Sequence, residues 1–217
     1  MTKSSTRVHV RGNAGTQILQ AAAALSQLGT FAEPIICVNH GNLDYDGTNK
    51  LDLFFDPHIR IINVDMTNKT PYWKTGVAER VFNNRPKIFQ WLKPKPLENM
   101  VKGPPAYHMR TGDKEIISQK TAQTWFESLK KQHADINLFT NDASRDWYAD
   151  WIEMYNAEVV YGTPSAFLVS MLLFDPTKQI VFLDPRNYDG SYDVTNDLIF
   201  LQEAMEFCPN VSYRYEL

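Results

Sequence analysis

A chain of 217 residues with 43% apolar and 22% charged side chains has the make-up of a globular protein, which excludes wholesale disorder. Its formal charge of -3 gives no reason to expect a nucleic-acid coat or a membrane-surface protein. Twelve Phe, ten Tyr and five Trp supply bulk for a core, and the length suits one ordinary domain or two small ones.

The start, Met1 to Arg7, is polar and lacks the apolar stretch of a signal peptide. Val8 to Val10 reads as a short strand, and Gly12-Asn-Ala-Gly15 as a turn. Thr16 to Gly29 follows as an Ala-rich helix, with Ile18, Ala22 and Leu25 at helical spacing and Gly29 as its stop. Ile35–Val38 and Ile59–Val64 are predicted strands, and Asn39–Pro57, rich in Asp, Asn and Gly, is a predicted loop whose Asp44, Asp46 and Asp52 are solvated. Cys37 and Cys208 sit beside apolar residues and read as small buried hydrophobes, with one disulfide between them left open.

Five of the twelve prolines fall between Pro86 and Pro105. Proline fixes φ and removes a backbone donor, so this stretch suits a connection between two units, with a surface loop inside one unit as the alternative. The expected division is an α/β half over 1–92, a connection over 93–105 and a second α/β half over 106–217. In the second half, Ala106–Met109, Ile136–Phe139, Glu158–Tyr161, Ile180–Leu183 and Val211–Tyr213 are predicted strands. Predicted helices at Gln119–Gln132, Ala143–Asn156, Pro164–Phe174 and Asn196–Phe207 lie between them. Strands alternating with helices of this length imply βαβ units and mostly parallel sheets. The longest apolar run, from Phe167 to Phe174, is far short of the ~20 residues that span a bilayer. The chain is therefore expected to be cytoplasmic, without a transmembrane segment.

Ligands of such sheets bind beyond the carboxyl ends of the strands. Four strand-end segments carry suitable chemistry. Gly12, Asn13 and Gly15 form a turn that opens a helix, where free N–H groups favour an anion; the competing role is packing of the helix. In Tyr107–Asp113, Arg110 is shaped for bidentate contact with a phosphate, and His108 shares its strand face. Asp113 is placed to orient that arginine, to cap, or to act as a base. Asn141 and Asp142, after the strand ending at Phe139, suit a ribose, a base or a sugar hydroxyl, or else cap the next helix. Thr163 and Ser165, before the Phe-rich helix, suit a further phosphate oxygen, with capping by Thr163 as the competitor. No cluster with metal-ligand spacing occurs.

Taken together and in order, these segments resemble the α-1,2-fucosyltransferase family, related to nodulation and protein O-fucosyltransferases. Gly12, Gly15, Gln17 and Gln20 follow its opening pattern Gly-x-x-Gly-Asn-Gln-x-x-Gln. His108, Arg110, Gly112 and Asp113 match its His-x-Arg-x-Gly-Asp motif. Phe139–Asp142 is similar to a Phe-Ser-Asp-Asp segment, Gly162–Phe167 loosely echoes a Ser-rich one, and Lys178–Pro185 has a counterpart in the closing Lys-x-Val-Ile-x-Pro text.

The resemblance implies two facing Rossmann-like halves of GT-B type, with GDP-fucose held mainly by the second half and a glycan acceptor by the first. It implies a metal-independent inverting glycosyltransferase in which Arg110 stabilises the leaving β-phosphate, supported by His108 and Asp113. Asp142 would hold the nucleoside or sugar, Thr163 and Ser165 the phosphates, and the Gly12–Asn13–Gly15 turn would face the donor. The chain departs from the pattern at Thr16 and Thr111 and is shorter than its relatives. Those departures carry a second reading, a non-catalytic nucleotide-sugar-binding or assembly protein that keeps the scaffold. A third is an unrelated nucleotide-binding α/β protein.

Overall fold

A computed structural model describes residues 5–11, 14–27, 33–39, 51–64, 77–93, 102–110, 115–140 and 146–214. It is an α/β fold with two parallel sheets. The first sheet has strands β1 (Ser5–Arg11), β2 (Glu33–Asn39) and β3 (Arg60–Val64) in that spatial order. The second has β4 (Ala106–Met109), β5 (Asn137–Thr140), β6 (Val160–Gly162), β7 (Ile180–Leu183) and β8 (Val211–Arg214), arranged β5-β4-β6-β7-β8. Every described strand pair is parallel, as helix-length crossovers require.

The helices are α1 (Ala14–Leu25), α2 (Val77–Asn83), α3 (Arg85–Phe89), α4 (Gln119–Gln132), α5 (Trp147–Asn156), α6 (Ala166–Phe174) and α7 (Thr195–Met205). The α6 sequence, AFLVSMLLF, is apolar on every side, and such a helix is stable only when covered all round. Residues Leu168 to Phe174 are indeed buried. A single apolar cluster joins the sheets through this helix, taking in Val10 of β1, Ile18 of α1, Leu168 of α6 and Phe182 of β7. Each such side chain contributes roughly 1.5–3 kcal/mol on burial. On the other face of the second sheet, a smaller cluster packs Tyr107 and Met109 of β4 against Trp125 and Leu129 of α4.

Several sequence expectations are corrected. The segment before Pro57 is not wholly a polar loop: Leu51–Leu53 is a 3-10 turn, and Leu51, Phe54 and Phe55 are core residues. Phe54 lies edge-on to Trp151, with ring centroids 4.9 Å apart, so an Asp/Asn-rich composition hid an aromatic plug. Asp52 is exposed as expected, whereas Asp44, Asp46 and Gly29 lie outside the described residues. Pro86, the first of the five clustered prolines, lies in the first turn of α3, where its missing N–H costs nothing. Neither α2 nor α3 was expected. Most of 93–105 lies outside the described residues, but Gly103 already pairs with Ala157 beside the second sheet.

Arg85 of α3 ties the two parts of the chain together. Its Nε donates to Leu173 O at 2.9 Å and its Nη2 to Phe174 O at 2.6 Å, capping the last carbonyls of α6 with a cation. Cys37 and Cys208 are both buried and free, so no disulfide joins them. No helix among the described residues is long and apolar enough to cross a membrane.

Candidate functional site

Strand register brings one row of residues side by side across the second sheet: Phe139, His108, Gly162, Phe182 and Tyr213. Chain direction across the sheet reverses between β4 and β6, because β5 lies on one side and β7 and β8 on the other. Such a switch point opens a crevice at the strand ends, since the two crossovers leave it toward opposite faces. Arg110 leaves β4 and Thr163 leaves β6 at this point. The segments carrying His108 and Arg110 on one side and Thr163 and Ser165 on the other therefore leave adjacent strands, with His108 paired to Gly162.

Arg110 is 8% exposed. Among the described residues, no carboxylate pairs with its guanidinium and no hydrogen bond engages it. A buried, unpaired cation is costly unless something anionic completes it. His108 packs its ring against Phe167 of α6, with centroids 5.5 Å apart. Its register partner Gly162 lets α6 approach closely: a β-carbon there would come 2.7 Å from Leu168 Cδ1, so the leucine would have to shift.

At the start of α6 the capping roles differ from the expected ones. Ser165, not Thr163, is the N-cap; its Oγ accepts from Leu168 N at 3.2 Å. Thr163 is 2% exposed, and its hydroxyl has no partner among the described residues. A buried hydroxyl normally finds one, so Thr163 Oγ1, like the Arg110 guanidinium, is a polar group near the switch point with no partner among the described residues.

The first turns of α1 and α6 meet. A β-carbon on Gly15 would lie 2.4 Å from Phe167 N and 2.5 Å from Ala166 C. Gly15 therefore serves helix packing, and its open face is occupied by α6. Neither helix has an acidic residue in its first turn, so two positive helix ends converge with no carboxylate supplied by either first turn. Thr16 and Gln17, in the same turn of α1, are buried.

Gly12, Asn13, Thr111, Gly112, Asp113, Asn141 and Asp142 lie outside the described residues. One alternative for Asp142 is nevertheless removed. Helix α5 begins at Trp147 rather than near Ala143, and its cap is Asp146, whose Oδ1 accepts from Tyr148 N at 2.9 Å.

The Lys178–Pro185 text resembles the family's closing pattern, but no role is expected from it of Asp184, which follows β7. Asp184 is 5% exposed, and its Oδ1 accepts from Arg186 N at 2.9 Å and Arg186 Nε at 2.8 Å. Burial by itself would raise this carboxyl; the hydrogen bonds and charge of Arg186 outweigh it and hold the group below its usual range. The signal available was an Asp-Pro pair directly after an apolar strand. Farther along, Asp189 accepts from Ser118 N at 2.6 Å, Ser118 Oγ at 2.7 Å and Thr121 Oγ1 at 2.7 Å. These bonds, the backbone one foremost, hold its carboxyl below the usual range. Tyr192 N donates to Glu115 O at 3.1 Å and Gly190 N to Ile116 O at 3.0 Å, so this strap is bound to the segment that follows Arg110.

Among the described residues, no three His, Cys, Asp or Glu side chains gather as a metal-binding group. No protein-family model matches the chain, and no curated protein matches it.

Proposed function

We propose that this chain binds a nucleotide sugar at the β4/β6 switch point, and that it transfers fucose from GDP-fucose to a hydroxyl of a glycan acceptor with inversion. The observation that supports this reading best is Arg110, a residue 8% exposed with no carboxylate partner among the described residues, standing just past the end of β4 beside the strand that leads into α6. A diphosphate supplies the missing negative charge and matches the forked donors of arginine. The choice of fucose and guanine comes from the sequence resemblance alone.

In this reading the acceptor oxygen attacks the anomeric carbon as the bond to the β-phosphate oxygen breaks. GDP leaves with the electron pair, Arg110 stabilises its developing charge, and a base takes the acceptor proton, a role the sequence leaves open to the carboxylate of Asp113. Thr163 donates its spare hydroxyl to a phosphate oxygen. The reading requires no metal and no resident cofactor.

Calorimetric titration with GDP and GDP-fucose tests the proposal, followed by Arg110→Ala. Binding by the wild type and a loss on the order of 2–4 kcal/mol in the variant support it. No binding of either at millimolar concentration ends it. The packing of Gly15 against α6 and the burial of Thr16 in α1 favour a second reading, a nucleotide-sugar-binding protein without turnover. Binding of GDP-fucose without release of GDP across a varied glycan panel would select it.

A further inference from the structure

Arg110 and Asp184 occupy equivalent places on strands that flank β6. His108, Gly162 and Phe182 lie in one register row, and Arg110, Pro164 and Asp184 each follow it by two residues. Strands are spaced by about 4.8 Å, so β4 and β7 run roughly 10 Å apart on either side of the α6 entry. Continuing the alternation of each strand one step past its end puts both side chains on the α6 side of the sheet. One phosphate-linked sugar, with the reach of an arginine and an aspartate, bridges such a gap.

The two oxygens of Asp184 are used unequally. Oδ1 holds the Asp184–Pro185–Arg186 turn through both Arg186 contacts. Among the described residues Oδ2 accepts no hydrogen bond, and it is not one of the fully enclosed atoms left without a partner, so it keeps some contact with solvent although the residue is only 5% exposed. Capping the turn explains the first oxygen and leaves the second. A carboxylate only accepts hydrogen bonds and repels phosphate, so its natural partner on a phosphorylated sugar is a ring hydroxyl. Arginine and carboxylate on opposite sides of the crevice would thus orient one ligand, phosphates to one side and hydroxyls to the other.

We infer that Asp184 Oδ2 accepts a hydrogen bond from a ring hydroxyl of the nucleotide sugar whose phosphates Arg110 holds. This rests on the function proposed above. Two rings carry that chemistry, the ribose and the transferred hexose, and the test separates them.

Wild type and Asp184→Asn are titrated with pyrophosphate, GDP and GDP-fucose, with melting temperature followed alongside. The variant keeps an oxygen for Arg186 N; Asp184→Ser, which also caps, replaces it should it fail to fold. The expected result is unchanged or tighter pyrophosphate binding, with sugar-bearing ligands weakened about ten-fold or more. Weakening already present with GDP assigns the ribose, and weakening confined to GDP-fucose assigns the hexose. Equal affinities of variant and wild type for all three ligands overturn the inference and leave the phosphate site standing. Failure of the wild type to bind any of them overturns the phosphate site itself.

Discussion

Gly15 and Phe167 belong to different sheets' helices, yet the α-carbon of the first fits against the backbone nitrogen of the second so closely that a β-carbon would lie 2.4 Å away. The neighbouring atoms are backbone, which cannot swing aside. Gly15→Ala is therefore expected to destabilise the fold by about 1–3 kcal/mol, as overpacking does. Denaturant titration would show a lower midpoint with an unchanged slope. A variant as stable as the wild type would mean that α1 and α6 are not in contact here.

Arg110 should behave in the opposite way. Its charge has no partner among the described residues, so replacing it removes no favourable contact with any of them. Arg110→Gln is expected to leave the unliganded melting temperature unchanged or raise it, while abolishing the upward shift that GDP produces in the wild type. A marked loss of stability without ligand would show that the guanidinium has a structural partner.

Thr163 and Ser165 offer a contrast two residues apart. Ser165 caps α6, and Ser165→Ala should cost about 1 kcal/mol in chemical denaturation. Thr163 makes no hydrogen bond with any described residue, and Thr163→Val removes a buried hydroxyl that none of them satisfies. It should be neutral or stabilising without ligand and should weaken nucleotide binding. Equal destabilisation by the two would contradict the assigned cap.

Lys178 gives a pH signature. Its buried ammonium donates to Ala157 O, and burial brings its pKa from 10.5 down to about 8, against the attraction of Asp175. Between those values the unfolded chain binds the proton and the fold does not, so this residue makes stability rise with pH across that window; below it the penalty is complete. The Cys208 thiol, pushed up to about 12 by burial, and the Tyr107 and Tyr155 phenols, also pushed up by burial, act with the opposite sign. The difference between wild type and Lys178→Met isolates the lysine. It should change by at most about 1.4 kcal/mol per pH unit within the window and stay flat below it. A difference independent of pH would place the ammonium in solvent.

Much of this architecture is readable residue by residue. Gln119–Gln132 and Ile180–Leu183 are found where periodicity puts them, because one face of α4 is apolar and β7 is an unbroken apolar run. The errors occur where local chemistry is ambiguous. Thr163 and Ser165 can both cap, and only the course of the backbone decides which oxygen faces Leu168 N. Phe54 and Phe55, set in Asp-rich text, reach the core because α5 presents Trp151 to them. Helices α2 and α3 escape notice because each is shorter than the two or three turns a periodic pattern needs.

By itself, then, the sequence determined the alternation of strand and helix, the parallel sheets that follow from it, and the placing of Arg110 and Thr163 just beyond strands. Those properties depend on the period of apolar residues, which is local. The order β5-β4-β6-β7-β8, the meeting of Gly15 with Phe167, and the flanking of α6 by Arg110 and Asp184 were decided only in three dimensions. Pairing order and close approach depend on which surfaces bury one another, and no spacing along the chain encodes that.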